Sequence, residues 1–189
     1  MKQSLLIITA IFAGLNLFSQ DSKLSANLSY PVTVGNNFIN KYNGIIDLGV
    51  RYRFVEAGPI NIGFSGNFTL LGRSYSEGDV DPGGGVNAVF IEPRVFGELN
   101  LESLSGFKPS LGVGYTYLVF TYKDGTQNLN LPNENYNGFN INLGTTYDIT
   151  NRFFALAQYE FIKIKNDRAD QIKYNTNFVL VKFGLGFRF

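Results

Sequence analysis

Eight stretches of this sequence alternate apolar and polar side chains with a period of two, and that alternation excludes most folds. A strand sends successive side chains to opposite faces, so such a stretch has one apolar and one polar face. The stretches run approximately over 23–32, 44–54, 60–71, 87–99, 108–121, 138–149, 152–164 and 177–189, with clusters of Gly, Asn, Asp and Pro between them. The last is the clearest. Val179, Val181, Phe183, Leu185, Phe187 and Phe189 share one face, and Leu180, Lys182, Gly184, Gly186 and Arg188 the other. In the second, Ile46, Leu48, Val50, Tyr52 and Phe54 oppose Asp47, Gly49, Arg51 and Arg53. In the sixth, Phe139, Ile141, Leu143, Thr145, Tyr147 and Ile149 oppose Asn140, Asn142, Gly144, Thr146 and Asp148. Strands of about ten residues or more exceed the usual globular length and suit a tilted crossing of a bilayer.

The links between stretches alternate in length. Val55–Pro59, Asn100–Phe107 and Thr150-Asn151 are short, whereas Thr33–Asn43, Gly72–Val86, Tyr122–Asn137 and Lys165–Thr176 are longer and polar. Short turns at one rim and long loops at the other belong to a hairpin-built barrel in a membrane. The fold class expected is therefore all-β: an eight-stranded antiparallel up-and-down transmembrane β-barrel with short periplasmic turns and longer extracellular loops. Both ends of the chain then lie on the periplasmic side.

A soluble barrel that carries a hydrophobic ligand, as lipocalins do, also alternates, but with the polar face turned to water. The polar face decides between the two. It is rich in Gly, Ser, Asn and Thr, with Asp47, Glu92, Glu98, Asp148 and Glu160 set against Arg51, Arg53, Arg94, Lys182 and Arg188. A water-facing exterior would carry many more scattered charges, whereas a narrow lumen needs a set that neutralises itself. The apolar face is expected to be free of charge at every strand position, because Arg or Lys at the bilayer midplane costs about 2–4 kcal/mol. Tyr30, Tyr52, Tyr115, Tyr117, Tyr147 and Tyr159 lie on that face as candidates for interfacial girdles, in a chain without Trp.

Residues 1–20 read as a secretory signal: Lys2, the apolar run Leu5–Leu15, then Phe18-Ser19-Gln20 before polar Asp21. The run falls short of the roughly 20 apolar residues that a helical span needs. The domain organisation expected is thus a signal peptide over 1–20, cleaved near Ser19 or Gln20, and one barrel domain over 21–189. With 16% charged residues and a formal net charge of +1, nothing points to nucleic acid. The chain has no Cys and no His. That removes disulfides, thiolate chemistry, a lipoprotein anchor and the usual general base and metal ligand. Without a base, inward Ser65 and Ser110 read as small packing residues. No cofactor, metal site or catalytic residue is expected.

The candidate functional residues are those of the lumen: Asp47, Arg51, Glu92, Arg94, Glu160 and Lys182. Glu92 and Arg94 share a face around Pro93, and Glu160 and Lys182 lie on neighbouring strands, so each pair is expected to meet. Arg51 is expected to reach across the lumen to Glu92. Pro93 lacks an N–H, and because a closed barrel has no edge strand it predicts a bulge. Asp79-Val-Asp81-Pro-Gly-Gly-Gly85 places oxygens at alternate positions but lacks a full Ca²⁺ loop pattern, and reads as a turn. The Asn, Tyr, Asp and Glu of Tyr122–Asn137 suit a solvated loop able to meet a protein or a glycan.

The closing residues Lys182-Phe-Gly-Leu-Gly-Phe-Arg-Phe189 resemble the β-signal of outer-membrane barrels, with Phe183, Leu185, Phe187 and Phe189 as its apolar positions. The mature chain as a whole resembles the small OmpA/OmpX-type barrels. A signal ending in Ser-Gln and a composition rich in Asn, Phe and Tyr resemble the outer-membrane β-barrel proteins of Bacteroidota. The resemblance implies a Gram-negative outer membrane, contact with its lipid and lipopolysaccharide, and recognition of the last strand by the barrel-assembly machinery. The enzymes of such membranes rely on a catalytic His, so it implies no enzyme here. The function expected is a structural or interaction barrel whose polar lumen is plugged by side chains. The alternatives are a narrow porin-like channel for small solutes or ions, and a secreted lipocalin-like binder of hydrophobic ligands.

Overall fold

All eight alternating stretches form strands: β1 (Leu24–Val34), β2 (Asn43–Ala57), β3 (Ile60–Ser74), β4 (Gly85–Leu99), β5 (Phe107–Tyr122), β6 (Glu134–Asp148), β7 (Phe153–Lys165) and β8 (Asn177–Arg188). The structure, a computed structural model, describes residues 23–74, 85–122, 134–165 and 176–189. The signal over 1–20, Asp79–Asp81 and the central parts of the loops after β5 and β7 lie outside the described residues. Each strand pairs antiparallel with its neighbours in sequence, and β1 pairs with β8 from Ser25↔Arg188 to Val34↔Val179, which closes the barrel. Several strands run past their expected ends at the long-loop rim. Glu134, expected in a loop, begins β6 opposite Phe120 of β5.

Backbone chemistry accounts for the short turns. Gly58 and Pro59 join β2 to β3, with Gly58 at φ +60°, the positive value that hairpin turns need at their first linking position. The β4–β5 link winds through a 3₁₀ turn at Glu102–Leu104 and leaves by Ser105 and Gly106, both at positive φ. At the β6–β7 link Thr150 Oγ1 accepts the N–H groups of Arg152 (3.3 Å) and Phe153 (2.9 Å). The barrel's two ends meet at the same rim, where the Phe189 N–H donates to the Leu24 carbonyl at 3.0 Å.

Pro93 does not produce the expected bulge. Gly66↔Pro93 keeps step within the β3–β4 ladder, and β4–β5 resumes at Arg94↔Gly114 in the same register as Ile91↔Tyr117. The ring points outward from an exposed position, so only local bonds are lost and no extra residue is inserted. The register shifts fall instead in β2 against β3, between Gly44 and Ile46 and between Arg53 and Val55.

The two faces follow the expected alternation. Leu48, Val50, Phe64, Leu111, Leu143, Phe183, Leu185 and all six tyrosines named above are exposed on the outside. Phenylalanines complete the girdle at the short-turn rim, in ring pairs Phe54–Phe64, Phe107–Tyr147, Phe153–Phe187 and Phe187–Phe189 with centroids 4.7–5.3 Å apart. One expectation about this surface needs correction. Lys163, inside β7, is exposed on the outward face, so that face is not wholly free of charge. It sits two residues from the long-loop end of its strand, at the edge of the outward apolar belt.

Candidate functional site: an ion-paired lumen beneath an apolar cap

Strand alternation points Asp47, Arg51, Glu92, Arg94, Glu160 and Lys182 into the lumen, where all six are buried. Five of them meet in one cluster. The Lys182 ammonium has three protons and donates to Asp47 Oδ2 (2.9 Å), Thr69 Oγ1 (2.9 Å) and Glu92 Oε2 (3.1 Å). Glu160 Oε2 stands 2.7 Å from the same nitrogen as a fourth oxygen. Arg94 lies beside it, with Nη2 bridging Glu92 Oε2 at 2.8 Å and Glu160 Oε1. Its Nε and Nη1 donate to Asn140 Oδ1 (2.6 Å) and Asn67 Oδ1 (2.9 Å). Asn67 also donates to Asp47 Oδ1 at 3.0 Å, and Thr69 Oγ1 donates to Asp47 Oδ2 at 2.6 Å. Strands β2, β3, β4, β6, β7 and β8 thus join through one polar network. Three carboxylates surround two cations, and such groups stay ionised away from water only when paired and hydrogen-bonded.

Arg51 is not part of this cluster. The expected reach to Glu92 is replaced by Glu98, whose Oε2 lies 3.3 Å from Arg51 Nη2. Competition explains this. Arg51 lines up with Ser65 and Arg94, one inward position from the row of Gly49, Asn67 and Glu92 and two from the row of Glu98. Glu92 is already held by Arg94 and Lys182, so Arg51 turns toward the short-turn rim, where Glu98 faces it. Arg53 joins Arg51 on Glu98 at 2.8 Å, and the Arg51 guanidinium lies 4.1 Å over the Phe96 ring. Nearest the short-turn rim, Lys108 and Arg188 share Asp148, each at 2.6 Å. The ten inward charges expected from the sequence are all inward, but they divide into three layers. The Glu98 and Asp148 layers each hold two cations on one carboxylate.

The long-loop half of the lumen departs from the expected polar filling. Leu71, Val86, Ala88, Phe90, Leu118, Phe120, Ile162, Ile164, Phe178 and Leu180 form a buried apolar cluster there. The first loop completes it by turning in through a 3₁₀ turn at Phe38–Lys41, which buries Ile39 and Tyr42 and packs Phe38 edge-on against Phe178 with centroids 5.0 Å apart. The signal was present in the sequence. Val89-Phe90-Ile91, Leu118-Val119-Phe120 and Phe178-Val179-Leu180-Val181 are continuous apolar runs, the pattern of strands buried on both faces. Among the described residues no group of His, Cys, Asp and Glu has the arrangement of a metal site.

No family model and no curated protein matches this chain. Solved structures do. Ail, the attachment invasion locus protein of Yersinia pestis, solved in complex with the heparin analogue sucrose octasulfate, superposes with TM-score 0.56 at 14% identity, over 88% of this chain and 96% of that one. The fold is the one that small outer-membrane barrels share. Neisserial surface protein A superposes with TM-score 0.56 at 12% identity, over 88% and 96% of the two chains. The outer membrane protein OprG of Pseudomonas aeruginosa gives 0.57 at 12% identity, over 88% and 95%.

Proposed function

We propose that this chain is an integral outer-membrane barrel with a closed lumen, serving as a structural and interaction protein through its extracellular loops rather than as an enzyme. The observation that carries this reading is the double occlusion of the lumen. A buried ion-paired layer fills its middle, and an apolar cluster capped by the first loop fills its extracellular half. The outward apolar belt supports the membrane setting, and it is the reverse of what a water-facing lipocalin-like barrel needs. Residues 1–20 serve as the cleaved export signal, and the Asn-, Phe- and Tyr-rich composition fits a Bacteroidota source. The occupants of the loops, a protein or a glycan at the cell surface, belong to the same proposal. The test is conductance of the mature barrel in planar bilayers. The expected result is no steady current above the bare membrane, and a large, steady current instead favours the narrow channel.

The same proposal assigns Phe183, Leu185, Phe187 and Phe189 to recognition by the barrel-assembly machinery. The Phe187 and Phe189 rings also meet edge to face at the short-turn rim. In fractionated cells the mature chain is expected in the outer membrane and resistant to carbonate, and deletion of Phe187–Phe189 to lower its amount several-fold. An equal amount of assembled deletion variant would remove the recognition role. Recovery of the intact chain as a soluble periplasmic protein would remove the membrane setting.

A further inference from the structure

The two charged layers nearest the short-turn rim carry more positive charge than they neutralise. Arg51 and Arg53 share Glu98, and Lys108 and Arg188 share Asp148, so four cations face two carboxylates. Arg53 Nε donates to Glu98 Oε1 at 3.0 Å, and Lys108 Nζ donates to Asp148 Oδ2 at 2.6 Å. Arg51 has no such bond. Among the described residues its guanidinium donates no hydrogen bond, and Glu98 Oε2, the oxygen it faces, accepts none. Arg188 gives Nη2 to Asp148 Oδ1 but leaves Nε buried without an acceptor. Buried guanidinium groups are ordinarily both paired and hydrogen-bonded.

The strand register brings these two guanidinium groups together. Ser25 of β1 pairs with Arg51 on one side and Arg188 on the other, and all three are buried in the lumen. At about 4.8 Å between strands, the two arginines leave the barrel wall about 10 Å apart, with Ser25 between them. Their charges are near enough to repel one another. An aromatic ring backs each guanidinium, Phe96 at 4.1 Å from Arg51 and Phe154 at 4.6 Å from Arg188. Each ring in turn lies across an inward glycine of the neighbouring strand. A Cβ at Gly63 would come within 2.7 Å of the Phe96 ring, and one at Gly186 within 2.1 Å of the Phe154 ring. Solvent reaches these layers from the short-turn rim, where the Lys108 and Asp148 side chains are 17% and 25% exposed.

We propose that the short-turn end of the lumen binds one small oxyanion with two negative charges, hydrogen phosphate or sulfate, held between Arg51 and Arg188 over Ser25. Such an ion matches the two positive charges that Glu98 and Asp148 leave unbalanced. Guanidinium groups suit it, because their forked N–H donors meet pairs of oxygens on a tetrahedral anion. An eight-stranded barrel is narrow inside, which favours an inorganic ion over its organic esters. The site goes beyond the closed-lumen reading, since it lies on the short-turn side of the ionic layer and needs neither a channel nor the long loops.

The experiment is equilibrium dialysis of the purified mature barrel in neutral detergent micelles against radiolabelled phosphate. Ionic strength is held fixed in mildly alkaline buffer, where phosphate is doubly charged, and sulfate, chloride and glucose 6-phosphate are the competitors. The wild type is expected to bind one phosphate per barrel. Sulfate should displace it at similar concentrations, and chloride or glucose 6-phosphate only at concentrations about tenfold higher or more. Arg51→Gln is expected to weaken binding about tenfold or more, the loss of one charge-assisted contact. It should leave the barrel folded, because Arg53 still holds Glu98. Without phosphate its stability in urea should equal or exceed that of the wild type, since a like charge has gone, and added phosphate should stabilise the wild type alone. Arg188→Gln should weaken binding by a similar factor, and if it fails to assemble, Arg51→Gln still decides. Arg152→Gln, exposed at the same rim, should leave binding unchanged. Equal binding by the wild type and Arg51→Gln overturns the proposal. So does displacement by chloride or glucose 6-phosphate as readily as by sulfate, which would mark an open surface that gathers any anion. A barrel that conducts no current and binds no phosphate refutes this inference and leaves the closed-lumen reading standing.

Discussion

Lys182→Ala should be the most damaging single substitution in the lumen, costing about 3–5 kcal/mol. The reason is the count of charges around it. Asp47, Glu92 and Glu160 all pair with Lys182, and Arg94 pairs with Glu92 and Glu160, so removal of the ammonium leaves one guanidinium for three buried carboxylates. Glu92→Ala leaves two carboxylates and two cations and should cost less, while exposed Glu134→Ala should cost nothing measurable. Adding Glu160→Ala to Lys182→Ala restores the original charge difference. The double variant should therefore be more stable than the sum of the two single losses predicts, by about 1 kcal/mol or more. The chain has no Trp, so unfolding in urea is best followed by gel mobility of the barrel folded in lipid vesicles. Additive losses, or a Lys182→Ala barrel as stable as Glu134→Ala, would show that these groups do not form one network.

The second large effect concerns current through the lumen. Two occlusions lie in series, and resistances in series are set by whichever stays closed. Glu92→Ala thins the ionic layer but leaves Ile39, Tyr42, Phe90, Phe120 and Phe178 in place above it. Replacing Phe38–Tyr42 with Gly and Ser residues removes the loop's share of the cap but leaves the ion pairs intact. Each change alone is expected to give a barrel as closed as the wild type in planar bilayers, and the two together a measurable, salt-dependent current. A current from Glu92→Ala alone would show that the apolar half does not seal, and that the ionic layer is the only barrier.

The fold is almost fully legible in the sequence, because period-two alternation is the physical requirement of a sheet with one apolar and one polar face. The closing pairing of β8 with β1, the short turns and the inward direction of all ten strand charges followed from it. Partners across the lumen were less legible. Glu160 and Lys182 meet as expected from adjacent strands. The partner of Arg51 depends on which cations already hold Glu92, which spacing within one strand does not contain. Pro93 misled because a missing N–H weakens a ladder without forcing an extra residue into it. Lys163 escapes this reading because an apolar face is judged by its middle, and this lysine stands at its edge. The cap over the lumen was the largest omission. Ile39 and Tyr42 sit in a stretch that reads as polar loop, and Phe90, Leu118 and Leu180 fall on strand faces that period-two alternation assigns to the polar filling.

The position of Lys182 along the chain has a consequence for how the barrel forms. Its carboxylate partners come from β2, β4 and β7, at sequence separations of up to 135 residues, while the ammonium itself arrives on the last strand. Until β8 docks between β7 and β1, Glu92 and Glu160 share Arg94, and Asp47 is held by the neutral Asn67 and Thr69. Contacts so distant in sequence pair late and slowly. Closure of the sheet and balancing of its interior charge are thus a single event, and an open seven-stranded sheet carries an electrostatic penalty as well as two unpaired edges. Partly closed barrels should accordingly be scarce at equilibrium, with insertion ending in an abrupt step rather than a gradual one.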